Sequence, residues 1–166
     1  MSLYFNAEEI LEIAGIIEKN GVAFYKKAAT IVKDTKISDF LNDLAIQEIE
    51  HEKFFNSMRQ TLSEEEITPT TPDPDDYLSL YLKIIADGNV FDVKKDPSTL
   101  LTGRESMEDI FNMAIQAEKD SIVFYIGMKE FVPEHRGKDK IQNIIKEEMK
   151  HIILLNQKRK LVINDL

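Results

Sequence analysis

Two Glu-x-x-His pairs, Glu48 with His51 and Glu148 with His151, carry the residue types most suited to chemistry in this chain. At i, i+3 on a helix, a carboxylate and an imidazole share one face a single turn apart and can ligate the same ion. The pairs are offset by 100 residues, and the same offset superposes Glu18 on Glu118 and Tyr25 on Tyr125 without a gap. Ala14 with Ala114, Lys19 with Lys119, Phe24 with Phe124 and Val32 with Val132 match too, which duplication of a helix pair explains better than chance. A lone Glu-x-x-His on a helix is ordinarily a solvated surface pair. Here both pairs and both single glutamates lie on apolar stripes, where unpaired buried carboxylates would cost several kcal/mol each. Two divalent ions would balance the four carboxylates. Four Glu and two His mix hard and borderline donors, which suit iron or manganese and match a closed structural zinc site poorly.

The expected metal ligands are therefore Glu18, Glu48, His51, Glu118, Glu148 and His151. Glu147 rivals Glu148, since it makes an i, i+4 pair with His151, but its repeat partner is Gln47 and it is assigned to the outside. Tyr25 and Tyr125 sit on the same stripes. Buried tyrosines at this spacing are more often plain core, yet side chains on a helix lean toward its N-terminus, so each phenol leans toward the ligand layer. Hydrogen bonds from Tyr25 to Glu118 and from Tyr125 to Glu18 are the functional expectation for them. Gly21 and Ser121 leave room beside the ligands for a small oxidant or for close helix approach. His135 falls in a loop and is expected to face solvent, and Lys158, Arg159 and Lys160 favour the C-terminal dipole of the last helix.

Four amphipathic helices must position these residues. Asn6 to Glu9 has the form of an N-cap, with Phe5 and Ile10 as a hydrophobic staple, and begins a helix over about 7–32. A polar break at Asp34 to Lys36 precedes a second helix over 37–60, antiparallel to the first across the short loop. Ser106 caps a third over 106–132, closed by Pro133 and Gly137, and the fourth runs over 138–162. Between the second and third lies a crossover over 61–105, acidic and holding Pro69, Pro72 and Pro74, with a short helix from Tyr77 to Ala86 ended by Asp87 and Gly88. A helix of about 25 residues is ~37 Å long, so this connection can span it and leave helices two and three parallel. One long crossover gives an all-α, ferritin-like four-helix bundle in a single domain over 1–166. Such bundles hold two irons by one Glu from each of two helices and Glu-x-x-His from each of the others. Two iron ions are the expected cofactor, with manganese or a mixed pair as the other option.

Composition excludes several classes. With 30 acidic against 21 basic residues the net charge is −9, the wrong sign for a nucleic-acid partner. Zero cysteines remove disulfides, thiolate zinc, iron–sulfur clusters and a cysteine nucleophile. No apolar run approaches the ~20 residues of a membrane span and Met1 to Ile10 has no leader features, so no membrane partner and a cytoplasmic location are expected. Phosphate-binding glycine patterns, Gly-x-Ser-x-Gly and His-Glu-x-x-His do not occur.

At Glu118-Lys119-Asp120-Ser121 leading to Phe124-Tyr125, and at Glu48 to His51 with Glu148 to His151, the sequence resembles the rubrerythrin branch of the ferritin-like superfamily, in particular single-domain members without a rubredoxin. The resemblance covers all four helices. It implies a di-iron centre that reacts with peroxide or dioxygen, in helix-bundle homodimers, with the six residues above as ligands. Rubrerythrins proper carry a rubredoxin whose cysteines hold an electron-transfer iron; this cysteine-free chain would take electrons from an external donor protein. They also place a further glutamate one turn after the third-helix ligand, where this chain has Ser121. The expected function is thus an oxidoreductase, a rubrerythrin-like peroxidase. The alternatives are a ferroxidase that stores or detoxifies iron, and a structural bundle with a vestigial site.

Overall fold

The apolar stripes are buried where their spacing places them. Over Ala7–Ile31 (α1), Leu11, Ala14, Glu18, Gly21, Tyr25 and Ala28 are all buried, and Glu8 and Glu9 sit in the first turn, where acids favour the helix dipole. The computed structural model describes residues 7–64, 77–86, 97–132 and 134–164. The anticipated Asn6 cap and Phe5 staple lie outside these residues, as do Pro69, Pro72, Pro74, Asp87, Gly88 and Pro133.

The helix over Thr35–Gln60 (α2) begins two residues before the anticipated position 37. The physical reason is Asp34, whose carboxylate accepts from the backbone N–H of Lys36 at 2.8 Å and of Ile37 at 3.1 Å. The aspartate is a cap for the helix rather than part of a break before it. The short helix Tyr77–Ala86 (α3) lies in the crossover, which also holds a 3₁₀ turn over Pro97–Leu100. Ser106 caps Met107–Met128 (α4) in a reciprocal box with Asp109, whose N–H donates to the serine hydroxyl at 3.1 Å. This helix stops at Met128, four residues short of the anticipated 132. Beyond it Glu130 N–H donates to Gly127, and Phe131 N–H to Met128, in i, i+3 bonds that tighten the last turn. Proline follows at 133 and disfavours helical backbone in the residue before it. After a 3₁₀ turn over Glu134–Arg136, Gly137 takes φ +105°, and the last helix runs over Lys138–Asn164 (α5).

The pairs α1–α2 and α4–α5 are the main packing units, joined by contacts of α1 with α4 and of α2 with α5. Side-chain pairings give the direction of each contact. Tyr25 bonds Glu118 and Tyr125 bonds Glu18, so later residues of α1 meet earlier residues of α4 and the two run antiparallel. Since α1 and α2 are also antiparallel, α2 and α4 are parallel, which is the one-long-crossover topology. A single apolar core threads the four long helices and takes in Leu82 of α3 and Leu101. α3 seats against α4 at Gly127, where an added Cβ would stand 2.9 Å from Leu82 Cδ2. None of the described helices is long and apolar enough to cross a membrane.

Candidate metal centre

Among the described residues, the buried polar side chains are Glu18, Glu48, His51, Glu118, Ser121, Glu148 and His151. Glu18 comes from α1, Glu48 and His51 from α2, Glu118 from α4, and Glu148 and His151 from α5. All are 5% exposed or less, in the middle of a bundle whose other interior positions are apolar.

The cluster divides into two overlapping halves. Ligand-type atoms of Glu18, Glu48, His51 and Glu148 lie within 4.8 Å of one another, as do those of Glu48, Glu118, Glu148 and His151. Glu48 and Glu148 belong to both halves, the position of bridging carboxylates, while Glu18 and Glu118 each belong to one. His51 Nδ1 faces Glu148 at 3.0 Å, Glu48 at 3.4 Å and Glu18 at 3.7 Å. His151 Nδ1 faces Glu148 at 2.8 Å, Glu48 at 3.3 Å and Glu118 at 3.4 Å. The two imidazoles stack at 6.0 Å, with planes 24° apart, so the sequence repeat becomes an approximate two-fold in space.

Glu48 Oε1, both oxygens of Glu148 and the Nδ1 atoms of His51 and His151 are buried and meet only atoms of the cluster itself, at distances of 2.8 Å and more, without a hydrogen bond of good geometry. Buried polar atoms are almost always satisfied, so five left facing one another across the two halves fit a group that coordinates rather than hydrogen-bonds. The donor set, four carboxylates and two imidazoles, fits a pair of iron or manganese ions.

Two glutamates are held from behind by tyrosines. The Tyr25 hydroxyl donates to Glu118 and the Tyr125 hydroxyl to Glu18, the two crossed pairs expected from the lean of the side chains. Each tyrosine ring is fixed edge-on by the preceding phenylalanine, Phe24 at 5.6 Å and Phe124 at 5.9 Å. Burial, and then the charge of the carboxylate each bonds, push both phenols well above the usual tyrosine range. They stay protonated and act as donors.

Burial pushes Glu18 and Glu118 well above the usual carboxylate range, and the nearby charges of Glu48 and Glu148 add to it. Burial acts the same way on Glu48, but Glu18 and the two imidazoles outweigh it and hold that carboxylate low. For His51 and His151 burial opposes charge, yet the surrounding carboxylates, Glu148 and Glu118 foremost, win and raise both well above the usual histidine range. The cluster's own protons thus do, in part, the work that a cation would do.

The outer nitrogens reveal what spacing alone did not. His51 Nε2 lies 2.7 Å from Glu147 Oε2, and His151 Nε2 lies 3.2 Å from Gln47 Oε1. Glu147 is 47% exposed at its side chain, so it does face outward, yet it reaches across to the histidine of the opposite helix. The repeat offset pairs 47 with 147 and was the available signal; what it lacked was the antiparallel register of α2 and α5. Ser121 is buried, but its hydroxyl donates to Ala117 O at 3.1 Å and so is turned onto its own helix. His135 is exposed. Arg159 is bonded to Asn156 at 2.8 Å and to Asn112, and Lys158 lies 5.5 Å over the Phe40 ring, which ties that cluster to the bundle surface.

The family model described as Rubrerythrin matches residues 9–157. No curated protein matches the chain. Among solved structures it is similar to a ferritin-like diiron-carboxylate protein from Thermotoga maritima, with a TM-score of 0.69 and 20% sequence identity over 93% of this chain and 95% of that one. At that identity the likeness speaks for the fold, and the bundle is a ferritin-like fold.

Proposed function

Because the chain belongs to the rubrerythrin family, we propose that its carboxylate–histidine cluster holds two iron ions and makes the protein a peroxide reductase that draws electrons from another protein. The observation that carries this reading is the set of buried, inward-facing atoms of Glu48, His51, Glu148 and His151 that meet only atoms of the cluster itself and make no hydrogen bond of good geometry. When bound, two ferrous ions supply the two electrons that, with two protons, convert hydrogen peroxide to two waters, and an external donor returns those electrons.

The chain's own residues perform the remaining tasks. Glu18 and His51 would hold one ion, Glu118 and His151 the other, and Glu48 and Glu148, which belong to both halves, would serve both. Tyr25 and Tyr125 keep one oxygen of Glu118 and Glu18 fixed by donating to it, which orients the carboxylates for coordination. Phe24, Phe55, Phe124 and the aliphatic core exclude bulk water, so charges inside the cluster interact strongly. The 166 residues contain no cysteine, so no thiolate within them can relay electrons.

Stopped-flow oxidation of the iron-loaded, reduced protein tests the reading. Peroxide is expected to oxidise the site faster than dioxygen does, in a small oligomer such as a homodimer. Comparable or faster dioxygen kinetics, with mineral accumulating in a large shell by sedimentation, would instead establish iron handling.

A further inference from the structure

The sequence repeat makes the inner ligands of the two halves alike, so any inequivalence between them must come from what surrounds the ligands. The clearest difference lies behind the histidines. Both imidazoles turn Nδ1 inward and Nε2 outward, and each Nε2 meets a side chain from the opposite Glu-x-x-His helix. For His51 that side chain is the Glu147 carboxylate at 2.7 Å; for His151 it is the Gln47 amide oxygen at 3.2 Å. Glu and Gln are nearly the same shape, so the two halves keep their geometry while differing by a full charge.

We propose that Glu147 and Gln47 are positioning residues that make the two halves of the metal centre electronically inequivalent, with the His51 half holding the more oxidised ion. The inference rests on the cluster being a di-iron centre. An ion on Nδ1 leaves Nε2 protonated, and that N–H must donate outward. A carboxylate acceptor forms the shorter, charge-assisted bond and draws the proton away from the ring. The ring gains anionic character, Nδ1 becomes a stronger donor, and ferric iron gains more from it than ferrous iron does. The Glu147 charge acts in the same direction through space. Solvent screens that charge because the side chain is half exposed, but does not reverse its sign. The amide of Gln47 supplies a weaker acceptor and no charge.

Redox titration of protein loaded with iron-57, followed by Mössbauer spectroscopy, decides the matter across the wild type, Glu147→Gln, Gln47→Glu and the double exchange. In the wild type two iron environments are expected, one oxidised before the other. Glu147→Gln should shift the lower midpoint potential upward, Gln47→Glu should shift the upper one downward, and the double exchange should restore the wild-type separation. Because Gln47→Glu adds the charged acceptor at the other half, the test stands even where Glu147→Gln fails to fold. Full iron loading with midpoints that stay fixed across the series would overturn the inference alone. Folded wild-type protein that takes up no iron would overturn the di-iron reading and the inference with it.

Discussion

Each of the six inward-facing side chains is anchored by a contact behind it or by its place between two others, and those contacts give testable consequences. Tyr125 donates to Glu18 and Tyr25 to Glu118. Removing such a partner of a metal-ligating carboxylate typically costs about 10–100-fold in affinity or activity. Tyr125→Phe should therefore weaken uptake of the ion on the Glu18 side by that factor while leaving the helical fold intact, as read by competition with a chelator. Unchanged affinity would reduce the phenol to core filling. A second consequence follows from the protons of the cluster. His51 and His151 are raised well above the usual histidine range by the carboxylates around them, so in the metal-free protein they carry protons at neutral pH, and Glu18 and Glu118 hold theirs to higher pH than ordinary carboxylates do. An ion must displace those protons, so uptake should release them and affinity should rise with pH. Titration in weakly buffered solution with a pH indicator reads this directly; uptake without acidification would contradict it. The clustering of these six side chains was legible in the sequence because duplication marks them twice and each lies on an apolar stripe. Glu147 and Gln47 were not read as partners of the histidines, since exposed polar positions carry no periodic signal and their contacts cross between helices.

At the scale of elements, caps and packing decide where each helix begins and how far the ligand layer can shift. Asp34 satisfies two otherwise orphaned N–H groups at the start of α2, the helix that carries Glu48 and His51. Asp34→Ala should cost about 1 kcal/mol, seen as a lower midpoint in denaturant with little change in slope, and an unchanged midpoint would show the cap to be redundant. The Ser106 cap was readable because an acid follows three residues later, whereas Asp34 stands in a run of polar residues that looks equally like a loop. The end of α4 was misplaced for a related reason. Val132 continues the apolar stripe and is buried, but the turn carrying it is already closed by i, i+3 bonds ahead of a proline. Burial pattern locates a face and does not locate the last α-helical hydrogen bond. The seat of α3 on Gly127 was equally hidden, because a glycine inside a helix pattern gives no sign of which element will approach it.

For the molecule as a whole, the duplicated helix pair explains both fold and site. Two copies of a hairpin joined by a long crossover bring Glu18 opposite Glu118 and Glu48 opposite Glu148, and the antiparallel contacts between copies cross-link each half to the other through Tyr25, Tyr125, Gln47 and Glu147. Four carboxylates and two histidines inside one apolar core are a standing cost to stability unless something positive joins them. A cation that binds only the folded chain would add about 2.7 kcal/mol at a concentration of 100 Kd. The most direct test is anaerobic titration of the metal-free protein with ferrous iron, counting bound ions against folded chain. The expected result is uptake saturating at about two equivalents, with Glu148→Ala losing far more of it than Glu147→Ala. Saturation at one ion or none in folded protein, or equal losses from the two variants, would contradict the assignment of these six side chains as a paired-ion centre.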